Sequence, residues 1–147
     1  MSDYLDFYDI NTASGGEELT FVEGGIFAGF PSPAADYTGA SIDLNRELVH
    51  NPSTTFLARV KGSSMIEAGI QEGNIVVVDR ELEYRDGDVV ICCVNGEFNI
   101  KYIRKEGAIL YLIPANPSYP KIKIEPTDDF RIWGVVTYII HKSEARR

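Results

Sequence analysis

Two residues of this chain have the types needed for acyl transfer without histidine, Ser64 and Lys101. Ser64 lies in Gly62-Ser63-Ser64-Met65-Ile66-Glu67-Ala68-Gly69-Ile70, where small turn-forming residues surround an apolar Met65-Ile66. Lys101 closes Glu97-Phe98-Asn99-Ile100-Lys101, just after an Asn95-Gly96 pair. A serine hydroxyl is a poor nucleophile until a base takes its proton. A lysine side chain ordinarily titrates near 10.4, but desolvation in apolar surroundings can leave neutral amine at neutral pH. Backbone N–H groups at the serine turn, those of Ser64 and Met65, would then hold the developing oxyanion. Taken singly, each residue also has a plainer role: a capping serine in a turn and a solvated lysine on a strand. Spacing alone does not bring the two together.

Other chemistries find less support. His50 stands beside Asn51-Pro52 and His141 near the C-terminus, neither in a nucleophile or metal motif, so both are expected at the surface. This weakens a Ser-His-Asp hydrolase and a histidine-ligated metal enzyme. No Gly-x-Gly-x-x-Gly or P-loop sequence occurs. Cys92 and Cys93 are adjacent in an apolar run, point to opposite faces of a strand, and suit packing better than a disulfide or zinc site. No metal and no cofactor is expected.

The elements that must position Ser64 and Lys101 read as strands. Residues 56–60, 75–78 and 89–94 are rich in β-branched side chains and bounded by Gly, Asp or Asn. Asn95-Gly96 separates 89–94 from 98–104 and is the pair favoured in a two-residue hairpin. Alternation puts Phe98, Ile100 and Tyr102 on one face, and Asn99, Lys101 and Ile103 on the other. Residues 109–113, 121–124 and 131–140 continue the series. One short helix is expected over about 43–49, with Asp43 as N-cap and Leu44, Leu48 and Val49 on an apolar side. The pattern predicts a mostly β, curled or barrel-like sheet.

The 147 residues suit one domain and carry a net charge of -8. The charge is unevenly spread. Residues 1–28 hold six acids and no Lys or Arg, so they carry -6, and the other 119 residues hold 16 acids against 14 bases, so they carry -2. Acidic residues there mix with Tyr4, Leu5, Phe7, Tyr8 and Ile10, which could dock on a surface, while Gly15-Gly16 and Gly24-Gly25 argue against a helix or strand of the arm's own. An acidic chain is a poor autonomous DNA binder. No apolar run reaches the ~18 residues of a membrane span, and the acidic start is unlike a signal peptide, so a cytoplasmic protein is expected.

The sequence strongly resembles the UmuD group of the LexA-type self-cleaving proteins. The matching stretches include Ala28-Gly29-Phe30-Pro31-Ser32-Pro33, Ile42-Asp43-Leu44-Asn45, Gly62-Ser63-Ser64-Met65-Ile66 and Asp86-Gly87-Asp88. They continue through Asn95-Gly96-Glu97-Phe98-Asn99-Ile100-Lys101, Leu112-Ile113-Pro114-Ala115-Asn116 and Trp133-Gly134-Val135-Val136, and span residues 28–142 in family order. The resemblance implies a LexA-type peptidase fold with Ser64 as nucleophile and Lys101 as general base. It implies a cut between Ala28 and Gly29, dividing the chain into an acidic extended arm, 1–28, and a dimerising peptidase domain, 29–147. Ser63 stands where relatives often carry an acid and receives no catalytic role.

The same resemblance implies a bacterial SOS-response protein and a homodimer, its self-cleavage stimulated by a RecA filament on single-stranded DNA. The truncated dimer would then serve an error-prone Y-family translesion polymerase subunit like UmuC. Two alternatives stay beside it: a non-catalytic dimeric binding module regulating a polymerase, and a phage-type repressor remnant. The glycine-rich 28 residues are too few for a helix-turn-helix, which disfavours a repressor.

Overall fold

The computed structural model describes residues 4–9, 18–21 and 40–143. The chain forms two compact units, residues 1–10 together with 51–147, and residues 11–50. In the smaller unit, β2 (Glu18–Phe21) pairs antiparallel with β3 (Ala40–Asp43). Helix α1 (Leu44–Leu48) follows directly, and the Asp43 carboxylate caps it by accepting from the amides of Asn45 and Arg46 at 3.0 and 3.4 Å. The N-cap expected from sequence is therefore present. The apolar side is not, because Leu44 is exposed and no residue of α1 is buried. Five residues make fewer than two turns, too short for a continuous apolar stripe.

The larger unit is one sheet of eight antiparallel strands. In chain order they are β1 (Tyr4–Asp9), β4 (Thr55–Lys61), β5 (Ile75–Asp79), β6 (Val89–Val94), β7 (Glu97–Glu106), β8 (Ile109–Ile113), β9 (Ile122–Lys123) and β10 (Phe130–Ile140). Across the sheet the order is β1-β4-β5-β10-β6-β7-β8-β9. The mostly β, curled architecture is borne out. The curl is visible in side chains: Phe7 of edge strand β1 meets Phe98 of β7, four strands beyond its neighbour β4, with ring centroids 5.0 Å apart.

Strand β1 corrects the sequence reading that residues 1–28 lack a strand. The glycines that argued against one lie at 15, 16, 24 and 25, outside the segment, and β4 supplies the backbone partners that a short strand cannot find in itself. The 121–124 strand is shorter than its alternation suggests and covers Ile122–Lys123 alone.

The β6–β7 turn forms as expected. Asn95 and Gly96 have φ of 49° and 85°, the left-handed pair that a primed two-residue turn requires. The turn is clamped to the segment before β10. Asn95 Nδ2 donates to Asp128 Oδ1 at 2.9 Å, the Asp129 amide donates to Asn95 Oδ1 at 2.9 Å, and the Asn95 amide donates to the Asp129 carbonyl at 2.7 Å. The Asn95 amide and then the Glu125 backbone N–H hold the Asp128 carboxyl below its ordinary value.

Two apolar clusters hold the sheet. One gathers Ala58, Val60, Met65, Ile70, Val76, Val78, Ile91 and Ile100, with Phe98 and Tyr102 against it. The other gathers Val90, Cys92, Ile103, Leu112 and Val135. Alternation along β7 thus sorts its residues as the sequence predicted. Cys92 is buried, Cys93 is partly buried, and neither is in a disulfide. Among the described residues no helix is long and apolar enough to cross a membrane.

Gly134 marks a close crossing of strands. A Cβ there would lie 2.5 Å from Val78 Cγ1 and 3.2 Å from the Asp79 carbonyl oxygen. Gly134→Ala should lower the stability of the fold by about 1–3 kcal/mol, read as a fall in the urea midpoint, because buried Val78 has nowhere to go. An unchanged midpoint would show that the crossing is loose. The Asp128 clamp predicts a pH signature. A carboxyl whose folded value is depressed contributes stability above its unfolded value of about 3.9, and loses it as pH falls through the folded value. Asp128→Asn should therefore be less stable than the parent at neutral pH, with the gap narrowing in strong acid. A gap independent of pH would count against the charged clamp.

Candidate active site

The Ser64 turn is built from local and distant bonds. Gly62 enters it with φ of 118° and Gly69 leaves it with φ of 78°, conformations that side-chain-bearing residues rarely adopt. Between them Ile66–Ala68 form a 3₁₀ turn. The amides of Ile66, Ala68, Gly69 and Ile70 donate to the carbonyls of Ser63, Met65, Ile66 and Met65 at 3.0–3.3 Å. Met65 is buried in the first apolar cluster and anchors the turn from below. From outside, the segment after β8 clamps it. The Ala115 amide donates to the Ser64 carbonyl at 2.8 Å, the Glu67 amide donates to the Ala115 carbonyl at 2.8 Å, and Asn116 Nδ2 donates to the Ser63 carbonyl at 2.8 Å.

Lys101 reaches the same point from β7. Its ammonium donates to Ser64 Oγ at 3.1 Å and to Asn99 Oδ1 at 3.4 Å. The Ser64 hydroxyl donates to the Ile100 carbonyl at 3.3 Å. Ser64 and Lys101 are each only 1 % exposed, and Asn99 is 3 % exposed. The Tyr119 ring lies on another side, its centroid 5.8 Å from Nζ. Burial strips water from the lysine, and its polar neighbours set its orientation. In this resting arrangement the serine proton points at a carbonyl. Once Nζ is neutral it can accept that proton after a simple rotation of the hydroxyl.

The structure therefore brings Ser64 and Lys101 together, and places Met65 beside them in the turn. Ala28 and Gly29 lie outside the described residues. Both histidines are exposed, and His141 Nδ1 pairs with Asn74 Nδ2 at 2.9 Å, away from this group. No cluster of metal-ligating side chains occurs among the described residues. Sequence reasoning passed over Asn99, although it shares the face of Lys101 two positions earlier and alternation could have singled it out. Asn116 carries no such signal, since it meets the Ser64 turn only through the fold.

The site is thus a serine buried against a strand lysine on a curled antiparallel sheet. The chain belongs to the Peptidase S24-like family, whose model matches residues 20–137. Among its relatives is protein SamA of Salmonella typhimurium (strain LT2), 43% identical over 118 residues, 80% of this chain and 81% of SamA. Protein MucA of Escherichia coli is 36% identical over 135 residues, 91% of this chain and 92% of MucA. The LexA repressor of Acidovorax sp. (strain JS42) is 31% identical over 121 residues, 82% of this chain but 53% of the repressor. The UmuD-like character read from the motifs is borne out.

The burial of Lys101 has a thermodynamic consequence. A buried cation is costly to desolvate, and an apolar side chain of similar length at the same place carries no such cost. Lys101→Met should leave the urea midpoint unchanged or raise it. A clear loss of stability would identify the lysine as a structural element.

Proposed function

We propose that this protein is a self-cleaving serine endopeptidase that cuts its own Ala28–Gly29 bond. What carries the reading is the 3.1 Å contact between Ser64 Oγ and Lys101 Nζ, both groups withdrawn from water. Neutral Lys101 takes the Ser64 proton, and Oγ attacks the Ala28 carbonyl carbon. The backbone N–H groups of Ser64 and Met65 hold the oxyanion. Collapse breaks the C–N bond, and Lys101 returns the proton to the Gly29 amine as it leaves. Lys101 then activates a water that hydrolyses the Ser64–Ala28 ester. Small residues on both sides of the bond let an extended backbone approach a buried nucleophile.

The biological setting follows from the UmuD-like relationship. Cleavage is stimulated by a RecA filament on single-stranded DNA in the SOS response of a bacterium. The product is a homodimer of residues 29–147 that assists an error-prone, UmuC-like Y-family polymerase in the cytoplasm. Scission separates a fragment carrying -6 from a body carrying -2.

Mass spectrometry of the purified chain incubated with an activated RecA filament, or alone at alkaline pH, should show fragments 1–28 and 29–147. Ser64→Ala and Lys101→Ala should each slow it at least about a thousandfold, as removal of a nucleophile or its base does elsewhere. Persistent cleavage in Ser64→Ala, or an intact wild-type chain under both conditions, overturns the reading.

A further inference from the structure

Strand β1 is held on the sheet by contacts that do not involve the bond proposed for cleavage. Its six residues pair antiparallel with β4, from Tyr4 opposite Lys61 to Asp9 opposite Phe56. Without β1, β4 would be the edge strand, its outer backbone groups open to pairing. Leu5 and Phe7 point inward against the first apolar cluster. The Phe7 ring sits 5.0 Å from Phe98 and 4.6 Å from Trp133. Trp133 is itself packed 5.1 Å from Phe56 and lies under the Arg80 guanidinium at 4.7 Å. Together these side chains make an aromatic seat for Phe7.

Asp6 and Tyr8 face outward. Asp6 pairs with Lys61 at 2.8 Å, and its hydrogen bond and charge raise the Lys61 pKa. Both partners of that ion pair are about half exposed, so water and salt screen it, and it holds the strand weakly. The aromatic seat and the backbone ladder therefore carry the attachment. Chain connectivity does little of the alignment, because 45 residues, 10–54, separate β1 from β4.

We propose that the outer edge of β4, with Phe56, Phe98 and Trp133, is a strand-accepting site whose occupant is the chain's own residues 4–9, and that it keeps them after the chain is cut. The cut at Ala28–Gly29 rests on the self-cleavage reading above. Every contact just described lies within residues 4–9 on one side and 55–133 on the other, so scission breaks none of them. Cleavage and unmasking are then two steps. The cut lowers the effective concentration of the strand, and a competing extended segment completes its removal. The seat favours an apolar residue, then an acid, then an aromatic, as in Leu5-Asp6-Phe7, laid antiparallel to β4.

The test uses the full-length protein in two forms. One cuts itself with activated RecA. The other carries Ser64→Ala and a factor Xa recognition sequence inserted after Gly29, so an added protease nicks it without the serine. Denaturing mass spectrometry scores the cut, and native mass spectrometry with gel filtration scores whether the N-terminal fragment stays bound. The fragment is expected to co-elute with the body at micromolar protein. Phe7→Ala should weaken its retention at least about tenfold, as loss of an aromatic anchor does. Asp6→Asn should change it by less than about fivefold. Complete separation of nicked wild-type protein, or equal retention in Phe7→Ala, overturns the proposal. An uncut chain in the RecA arm counts against self-cleavage alone, because the factor Xa arm still reads retention.

Discussion

A lysine amine withdrawn from water and set 3.1 Å from a serine hydroxyl is the constraint on which the rest of this structure depends. Water strongly solvates an ammonium group, and a fold that buries one must compensate with oriented polar partners and a well-packed surround. Here the partners are Ser64 Oγ and Asn99 Oδ1. The surround is the pair of apolar clusters on the two faces of the sheet, one anchoring Met65 and Ile100, the other Ile103. Chemistry and packing make opposite demands on position 101. An apolar residue would suit the core, whereas the self-cleavage proposed above needs the amine.

The Ser64–Lys101 contact is precise because each residue is held from both ends of its element. The β6–β7 turn fixes the register of β7, and the Asn95–Asp128 clamp ties that turn to the segment leading into β10. The Ser64 turn is tied to Met65 beneath it and to Ala115 and Asn116 beside it. These supports come from four separate stretches of chain. A change in any of them alters the approach of Oγ to Nζ without touching either atom, as expected of a site built on rigid elements.

Much of this was legible in the sequence. Asn95-Gly96 between two apolar runs required a hairpin, since few other pairs accept left-handed backbone at both positions. Alternation along β7 separated Phe98 and Ile100 from Asn99 and Lys101, and the structure keeps that separation. Asp43 capped the helix as its short side chain predicted. Other features were not legible. Strand β1 pairs with residues about 50 positions away, so its own composition of acids and aromatics said little about where its backbone bonds would go. The exposure of Leu44 was hidden because an apolar residue type does not reveal how few turns its helix will have.

The sequence by itself determined the residue types able to do acyl transfer, the strand periodicity around Lys101, the turns at Asn95-Gly96 and at Gly62 to Gly69, and the acidic bias of residues 1–28. These are local properties, set by side-chain chemistry and by which backbone angles each residue tolerates. Only the tertiary structure decided that Ser64 meets Lys101, that Asn99 and Asn116 steady them, and that Phe7 closes an aromatic cluster with Phe98 and Trp133. Those contacts join residues from 2 to about 126 positions apart, most of them distant. Distant contacts are set by how an eight-stranded sheet curls to bury its two apolar faces, and no local stretch of chain contains that information.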